Sequence, residues 1–459
     1  MKRMKIVVSA LLLLCFVFSF ALPHGSVKGA SYTISISFGF TPNSNAVVVD
    51  GFNRTVSPKP ILKGATLYVP IRFVVEAAGG DVGWNGKTKT ISLKINDTNV
   101  SLTLASSSIT INGSTNQTIS APILDKGTTF VAIKDIVSMF SGNSTGDYSF
   151  TIPKQLIKVF DETGRQVYVP KKINRIVSLY PMTTTLLFPF KMQDKLVGAA
   201  KGKVVDYSKV FPKISEIPDA SSYTSPNVET IISLKPDIII APYTTPLSQL
   251  QSVNLPVLLF NMETTQGLLK SIQFLGAILG KTQEATDILV YLNSKLNYIK
   301  SQTQFLQNKK SVYFALSSMT KTAGSTLIQN EMIARAGGIS VTAQLPGGKV
   351  NVSLEQVIKW NPDYIILAPY CSDTVESVLQ NPALQSVTAV KNKHVYMMPQ
   401  FIGSYDLPEP EVVLGIMWLS NKLYPDKVNF DLRSEAKEFY QKVFDYTLTD
   451  ADLTAIFGK

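Results

Sequence analysis

The sequence predicts an α/β protein: two α/β lobes joined by a long helix, preceded by a small α+β domain built from a tandem repeat. Three observations carry that reading. Residues 46–153 repeat themselves at an offset of 62. From Arg175 onward short apolar runs alternate with helical stretches. The two halves of that region then echo each other around a Pro-Asp pair.

Ahead of these elements, Lys2, Arg3 and Lys5 precede an apolar run from Ile6 to Leu22. A charged start followed by an apolar segment is the pattern of an export signal. We assign it to residues 1–30, with small residues suited to cleavage at Ser19/Ala21 and Val27/Gly29, and expect an exported chain at the extracellular face of the membrane or the cell surface. Cys15 lies between Leu14 and Phe16, and the absence of a small residue before it argues against lipidation. With that segment removed one cysteine remains, Cys371, and one histidine apart from His24, His394. An internal disulfide is therefore excluded, as is a zinc or manganese site built from several imidazoles or thiolates. The net charge of +11 is spread along the chain without a basic run, which fits a solvated surface rather than a nucleic-acid partner.

The repeat domain is assigned to residues 31–153. Asp50-Gly51 and Asn112-Gly113 are turn pairs between apolar runs. Pro60-Ile61-Leu62 answers to Pro122-Ile123-Leu124, and Thr66-Leu67-Tyr68-Val69 to Thr128-Thr129-Phe130-Val131. Pro70 opens a short helix with Ile71, Val74, Val75 and Ala78 on one face, closed by Gly79-Gly80. Each unit reads as strand, turn, strand, short helix.

The binding body is assigned to residues 154–459. Ile176-Val177-Ser178-Leu179, Asp237-Ile238-Ile239-Ile240 and Val257-Leu258-Leu259-Phe260 are short, continuous apolar runs, as expected of parallel strands covered on both faces. Lobe 1 spans about 166–265 and lobe 2 about 309–459. A helical stretch at about 266–305 joins them, interrupted at Gly280-Lys281, with Ile288, Leu289, Leu292, Leu296 and Ile299 on one face. In lobe 1, Glu229 precedes Pro236-Asp237 and Ala241-Pro242-Tyr243. In lobe 2, Glu355 precedes Pro362-Asp363 and Ala368-Pro369-Tyr370. The Glu-to-Pro spacing is seven in both (236 − 229 and 362 − 355). Each strand thus ends at its carboxyl edge on Ala-Pro-Tyr, the edge where open α/β sheets bind ligands.

Two families are met here. The Pro-Ile-Leu…Tyr-Val-Pro-Ile-Arg pattern and the Gly80-Asp81…Trp84-Asn85 turn resemble the N-terminal domain of copper amine oxidases, a non-catalytic module. Residues 166 to about 457 resemble the substrate-binding proteins of iron-siderophore, haem and cobalamin ABC importers, the class with a rigid interlobe helix. Arg175-Ile176-Val177-Ser178-Leu179, Lys195-Leu196-Val197-Gly198, Ser233-Leu234-Lys235-Pro236-Asp237, Ala336-Gly337-Gly338 and Asn361-Pro362-Asp363 carry that likeness. It implies two Rossmann-like lobes, no catalysis and no cofactor. The implied partners are an ABC permease and its ATPase, which associate the protein with the membrane, and a small-molecule ligand of the metal-chelate type. Glu229 and Glu355 stand where the family docks to permease arginines; the plainer reading is a carboxylate at each helix start.

The loops after the strands place Met182, Thr183, Lys201, Tyr223, Tyr243, Ser318, Met319, Tyr370 and Tyr405 as candidate ligand-binding residues. Aromatic and thioether groups offer flat apolar area to a large chelate, and lysine and hydroxyls hold anionic groups. Cys371 and His394 read as packing residues, so no metal-ligating set is expected. A molybdate- or tungstate-like oxyanion is the alternative ligand, because the Tyr405-Asp406-Leu407-Pro408 loop and the Leu414-Gly415…Trp418-Leu419 helix resemble the branch of the family that includes iron-chelate and molybdate/tungstate binders. A cell-surface interaction protein without a transport role is the alternative function. Copper amine oxidase chemistry is excluded, because it needs several imidazoles and Asn297-Tyr298 is followed by Ile299.

Overall fold

In the computed structural model the described residues are 27–117, 120–202, 205–222, 225–253 and 255–458. Residues 1–26, most of the expected export signal, lie outside them. The remainder of that segment, from Val27, is already the start of a strand, Val27–Phe40.

The tandem repeat is visible as geometry. Strands Ile61–Lys63 and Thr66–Pro70 and the helix Ile71–Ala77 recur as Ile123–Asp125, Thr128–Ala132 and Ile133–Met139, each displaced by 62 (123 − 61, 128 − 66, 133 − 71). The two copies meet through Thr66–Pro70 and Thr128–Ala132, antiparallel, with Val69 opposite Val131. The turn pairs Asp50-Gly51 and Asn112-Gly113 all have positive φ, +50°, +80°, +47° and +86°, the mirror-image turn that suits a hairpin. Their side chains repeat as well. Asp50 Oδ1 accepts the Ser37 amide and Asn112 Oδ1 that of Asn99, both at 2.8 Å. The repeat therefore reaches further towards the N-terminus than the sequence motifs indicate.

The strand Ser149–Phe160 runs through the expected boundary at 153. It pairs antiparallel with Val27–Phe40 over most of its length and, at its far end, with Gln166–Pro170. Phe150 and Ile152 are buried in the core of the repeat domain, and Val159 in the core of the body. An ion pair between Lys172 and Asp81 adds a second tie.

Lobe 1 is a six-stranded sheet in the order 225–226, 219–222, 196–200, 176–178, 238–242, 257–260, parallel apart from the first pair. Alternation along Ile238–Pro242 explains its uniformly apolar sequence. Ile238 and Ile240 join the main core, while Ile239 and Ala241 join a cluster on the other face. Lobe 2 is a mixed sheet around Ser311–Ser318, which pairs in parallel with Tyr364–Leu367 and antiparallel with Lys321–Ala323. There Tyr364 and Ile366 face the main core, and Ile365 and Leu367 the opposite cluster. The interlobe stretch is two helices, Thr265–Ile278 and Thr282–Thr303, broken where Gly280 adopts φ +68°. The second, 22 residues long, extends about 33 Å. It contributes Leu292, Leu296 and Ile299 to a core that includes residues of both lobes.

Candidate functional site

The echo between the lobes is built from two matching helices, Val228–Leu234 and Leu354–Trp360. Asn227 caps the first by accepting the Thr230 amide, and Ser353 the second by accepting the Gln356 amide. Each helix ends on a left-handed residue, Lys235 at φ +49° and Asn361 at φ +45°. The Pro-Asp pair that follows has a structural reason. Asp237 Oδ2 accepts the amides of Asn174 and Arg175 at 2.7 and 3.0 Å, pinning the start of the neighbouring strand. Asp363 Oδ2 likewise accepts the Ser311 amide and hydroxyl, both at 2.8 Å. Glu229 and Glu355 are the second residue of their helices, and both are exposed. At Glu355 a hydrogen bond from the Ser353 side chain lowers the carboxyl pKa.

The carboxyl edges of the two sheets carry the candidate ligand residues, and the structure divides them. Four offer surface. Tyr243, 38% exposed, follows Ile238–Pro242; burial, and then the charge of Glu263, raises its phenol pKa. Lys201 is exposed and donates to the Ser215 carbonyl at 3.2 Å. Ser318 is half-buried, with its Oγ 3.1 Å from Thr320 Oγ1. Tyr370 is half-buried and donates to Asp406 Oδ2 at 2.8 Å. Tyr223 lies outside the described residues.

The other four are corrected. Met182 and Thr183 lie in the short helix Pro181–Thr185, whose residues are all buried. Met182 packs into the main core, and the Thr183 hydroxyl is spent on Ser178 Oγ and the Tyr180 carbonyl, at 2.7 and 2.8 Å. Met319 is buried in the outer cluster of lobe 2, where its carbonyl accepts the Tyr313 hydroxyl. Tyr405 is fully buried, with its ring against Phe457 and its hydroxyl 3.4 Å from that of Tyr440. In each case the chain beyond the strand turns inward, so the side chain fills the fold instead of the cleft.

Two charged residues that approach each other across the lobes were not singled out from the sequence. Glu263 follows Val257–Phe260 in lobe 1, and Lys349 opens the strand Lys349–Asn351 in lobe 2. Burial raises the Glu263 pKa, while Lys349 lowers it, so the two lobes place opposite charges within electrostatic reach.

Cys371 is half-buried, and burial raises its thiol pKa. His394 stacks on Tyr364 with ring centroids 4.4 Å apart, and its Nδ1 lies 3.3 Å from the Asp363 carbonyl. Among the described residues no group of three or more His, Cys, Asp or Glu side chains is placed to hold a metal ion. Nor is any helix among them long and apolar enough to cross a membrane.

Comparison with known proteins agrees with this geometry. Residues 176–401 match the family described as periplasmic binding protein, and residues 48–147 that described as copper amine oxidase N-terminal domain. The molybdate-binding protein MolA of Haemophilus influenzae is 26% identical over 319 residues, 62% of this chain and 90% of that protein. The vitamin B12-binding protein of Vibrio vulnificus is 25% identical over 252 residues, 53% and 88% of the two chains. A crystal structure of a periplasmic solute binding protein from Veillonella parvula superposes with a TM-score of 0.57 at 26% identity, covering 66% of this chain and 96% of that one.

Proposed function

Because the chain belongs to the periplasmic binding protein family of ABC importers through residues 176–401, we propose that it captures a metal chelate of the siderophore, haem or cobalamin type and delivers it to a permease. It acts without catalysis, after export, at the outer face of the membrane. What supports the ligand class is the set of side chains after the strands that keep some surface, Tyr243, Tyr370, Ser318 and Lys201, together with Glu263 and Lys349 of the two lobes within electrostatic reach of each other. Phenol rings and a few charges clasp a large complex whose metal is already saturated. They do not supply the imidazoles or thiolates that a bare transition-metal ion demands. The relative that binds vitamin B12 supports the same class.

A second reading has its own support. The relative that binds molybdate matches a larger share of this chain, and an oxyanion of that kind needs only hydroxyls and backbone amides. Calorimetric titration of the purified protein with haem, cobalamin, ferric siderophores, molybdate and zinc decides between them. Chelate binding that weakens at least tenfold on Tyr243→Ala supports the proposal. Molybdate binding without chelate binding replaces it with the second reading. Tight zinc binding that survives loss of His394 and Cys371 refutes both.

A further inference from the structure

The loop that ends in Glu411 turns away from the cleft and buries two carboxyl groups at the meeting of the lobes. Glu409 and Glu411 are both fully buried. From lobe 1, Thr185 Oγ1 donates to Glu409 Oε2 at 2.8 Å, and the same hydroxyl lies 2.8 Å from Tyr207 Oη. From lobe 2, the Tyr440 hydroxyl donates to Glu411 Oε1 at 2.5 Å, and the Gly403 amide at 3.3 Å. Beside this pair the backbones of the two lobes join directly, the Asp206 amide donating to the Ile402 carbonyl at 2.7 Å.

Two oxygens of this cluster, Glu409 Oε1 and Glu411 Oε2, are buried with no donor among the described residues. Each of the two carboxyl groups acts on the pKa of the other, so they lie close together. Ionised carboxylates only accept hydrogen bonds, so a bond between two of them requires a proton on one. A proton shared between the two groups would give a donor to one orphaned oxygen and an acceptor to the other. The lack of a side chain at Gly403 makes room for Glu409, since a Cβ there would lie 1.7 Å from Glu409 Oε1. The other titratable groups facing the pair are Asp406, Tyr207, Tyr405 and Tyr440. Among the described residues no lysine, arginine or histidine is ion-paired with either glutamate.

We propose that Glu409 and Glu411 share one proton and act as a positioning pair that clamps lobe 1 to lobe 2, a clamp that loosens when the proton is lost. Burial raises the pKa of both carboxyl groups, and the pair titrates as a unit. Removing its proton leaves two like charges in apolar surroundings with nothing to compensate them. The Thr185–Glu409 and Tyr440–Glu411 contacts are then pulled against that repulsion, and the neighbouring Asp206–Ile402 bond opens with them. The inference concerns the joint between the lobes and holds whatever the ligand is.

Amide hydrogen exchange on the purified chain from pH 6 to 9 tests it, read at Val205–Tyr207 and Phe401–Ser404. Glu409→Gln is the informative variant. Its amide nitrogen, placed at the position of Oε1, donates to Glu411 Oε2 without needing a titratable proton. Relative to Glu409→Gln, the native protein is expected to lose protection at these segments at least tenfold by pH 9 and to match the variant at pH 6. Glu411→Gln should behave like Glu409→Gln. Thr185→Val should lower protection at every pH without altering the native pH profile. Equal pH profiles in the native protein and either glutamine variant overturn the proposal. Should neither glutamine variant fold, infrared spectroscopy reads the proton itself in the Glu162→Gln protein, which removes a separate carboxyl that burial pushes up to about 7. A protonated carboxyl band that disappears between pH 6 and 9 together with protection at Asp206 supports the clamp, and no such band refutes it.

Discussion

Glu162 shows how one residue ties the chain before lobe 1 to the rest of the body. It follows the strand Ser149–Phe160, and its carboxyl accepts the Asn261 amide and the Ser271 hydroxyl, the latter at 2.7 and 2.9 Å. Burial outweighs these bonds and pushes its pKa from 4.5 up to about 7. Between those values the folded chain holds a proton that the unfolded chain has released. Its contribution to stability is therefore full below about pH 4.5 and is lost as pH rises to about 7, flat beyond. The shift corresponds to about 3 kcal/mol. Glu162→Gln keeps an acceptor for Asn261 and a partner for Ser271 but removes the titration. Denaturant unfolding at pH 5 and pH 7.5 should show a fall for the native protein that shrinks by roughly 2–3 kcal/mol in the variant. An unchanged fall would mean that Glu162 titrates normally. Nothing in the local sequence announces this residue, because Asn261 and Ser271 lie about a hundred positions away.

At the scale of elements, the strand Ser149–Phe160 is where the sequence misleads for a physical reason. Its buried residues change parity, Phe150 and Ile152 in one half and Val159 in the other. A phase change around Pro153 reads as a linker. In the fold it is one strand presenting opposite faces to two cores. The 62-residue repeat was legible because its turns and short helices are local. The inward course of Met182, Thr183 and Tyr405 was not. It depends on the lobes meeting at Thr185–Glu409, a contact 224 residues apart in sequence. The shared strand makes a prediction about truncation. A fragment beginning at Lys154 keeps the pairing of Leu156–Phe160 with Gln166–Pro170 and the whole body core, so it should unfold cooperatively. It loses the partner strand Val27–Phe40 and the Lys172–Asp81 pair. Its midpoint should therefore fall below that of the body in the full chain, by roughly 2–4 °C for each kcal/mol removed. Calorimetry reads this directly. An unchanged midpoint would mean that the shared strand contributes nothing, and loss of the transition that the two cores are one.

For the whole molecule, what matters is which face stays open. A helix in a parallel α/β unit starts at the carboxyl edge of the sheet and ends at the amino edge. Glu229, at the start of Val228–Leu234, therefore lies at the opposite edge from Arg175 and Asp237. The repeat domain approaches that amino edge: Arg54 and Lys154 lie within electrostatic reach of Asp237. Each lobe carries one exposed glutamate in the same capped helix. A partner that is itself pseudo-symmetric and carries a cation on each half fits this face, which is how we read the permease contact. Breaking a charge pair at an interface costs roughly 2–5 kcal/mol when buried and less at a wet rim. Replacing both Glu229 and Glu355 by alanine should then lower uptake about tenfold or more in cells that carry the cognate permease, equivalent to ~1.4 kcal/mol or more. Ligand affinity of the purified double variant should stay within about twofold, because neither glutamate is hydrogen-bonded to any of the proposed ligand residues Tyr243, Tyr370, Ser318 and Lys201. Uptake equal to that of the native protein would remove the docking role. A large loss of affinity in solution would place the two glutamates at the ligand instead. Each single variant should lose part of the uptake, since each lobe meets its own half of the partner.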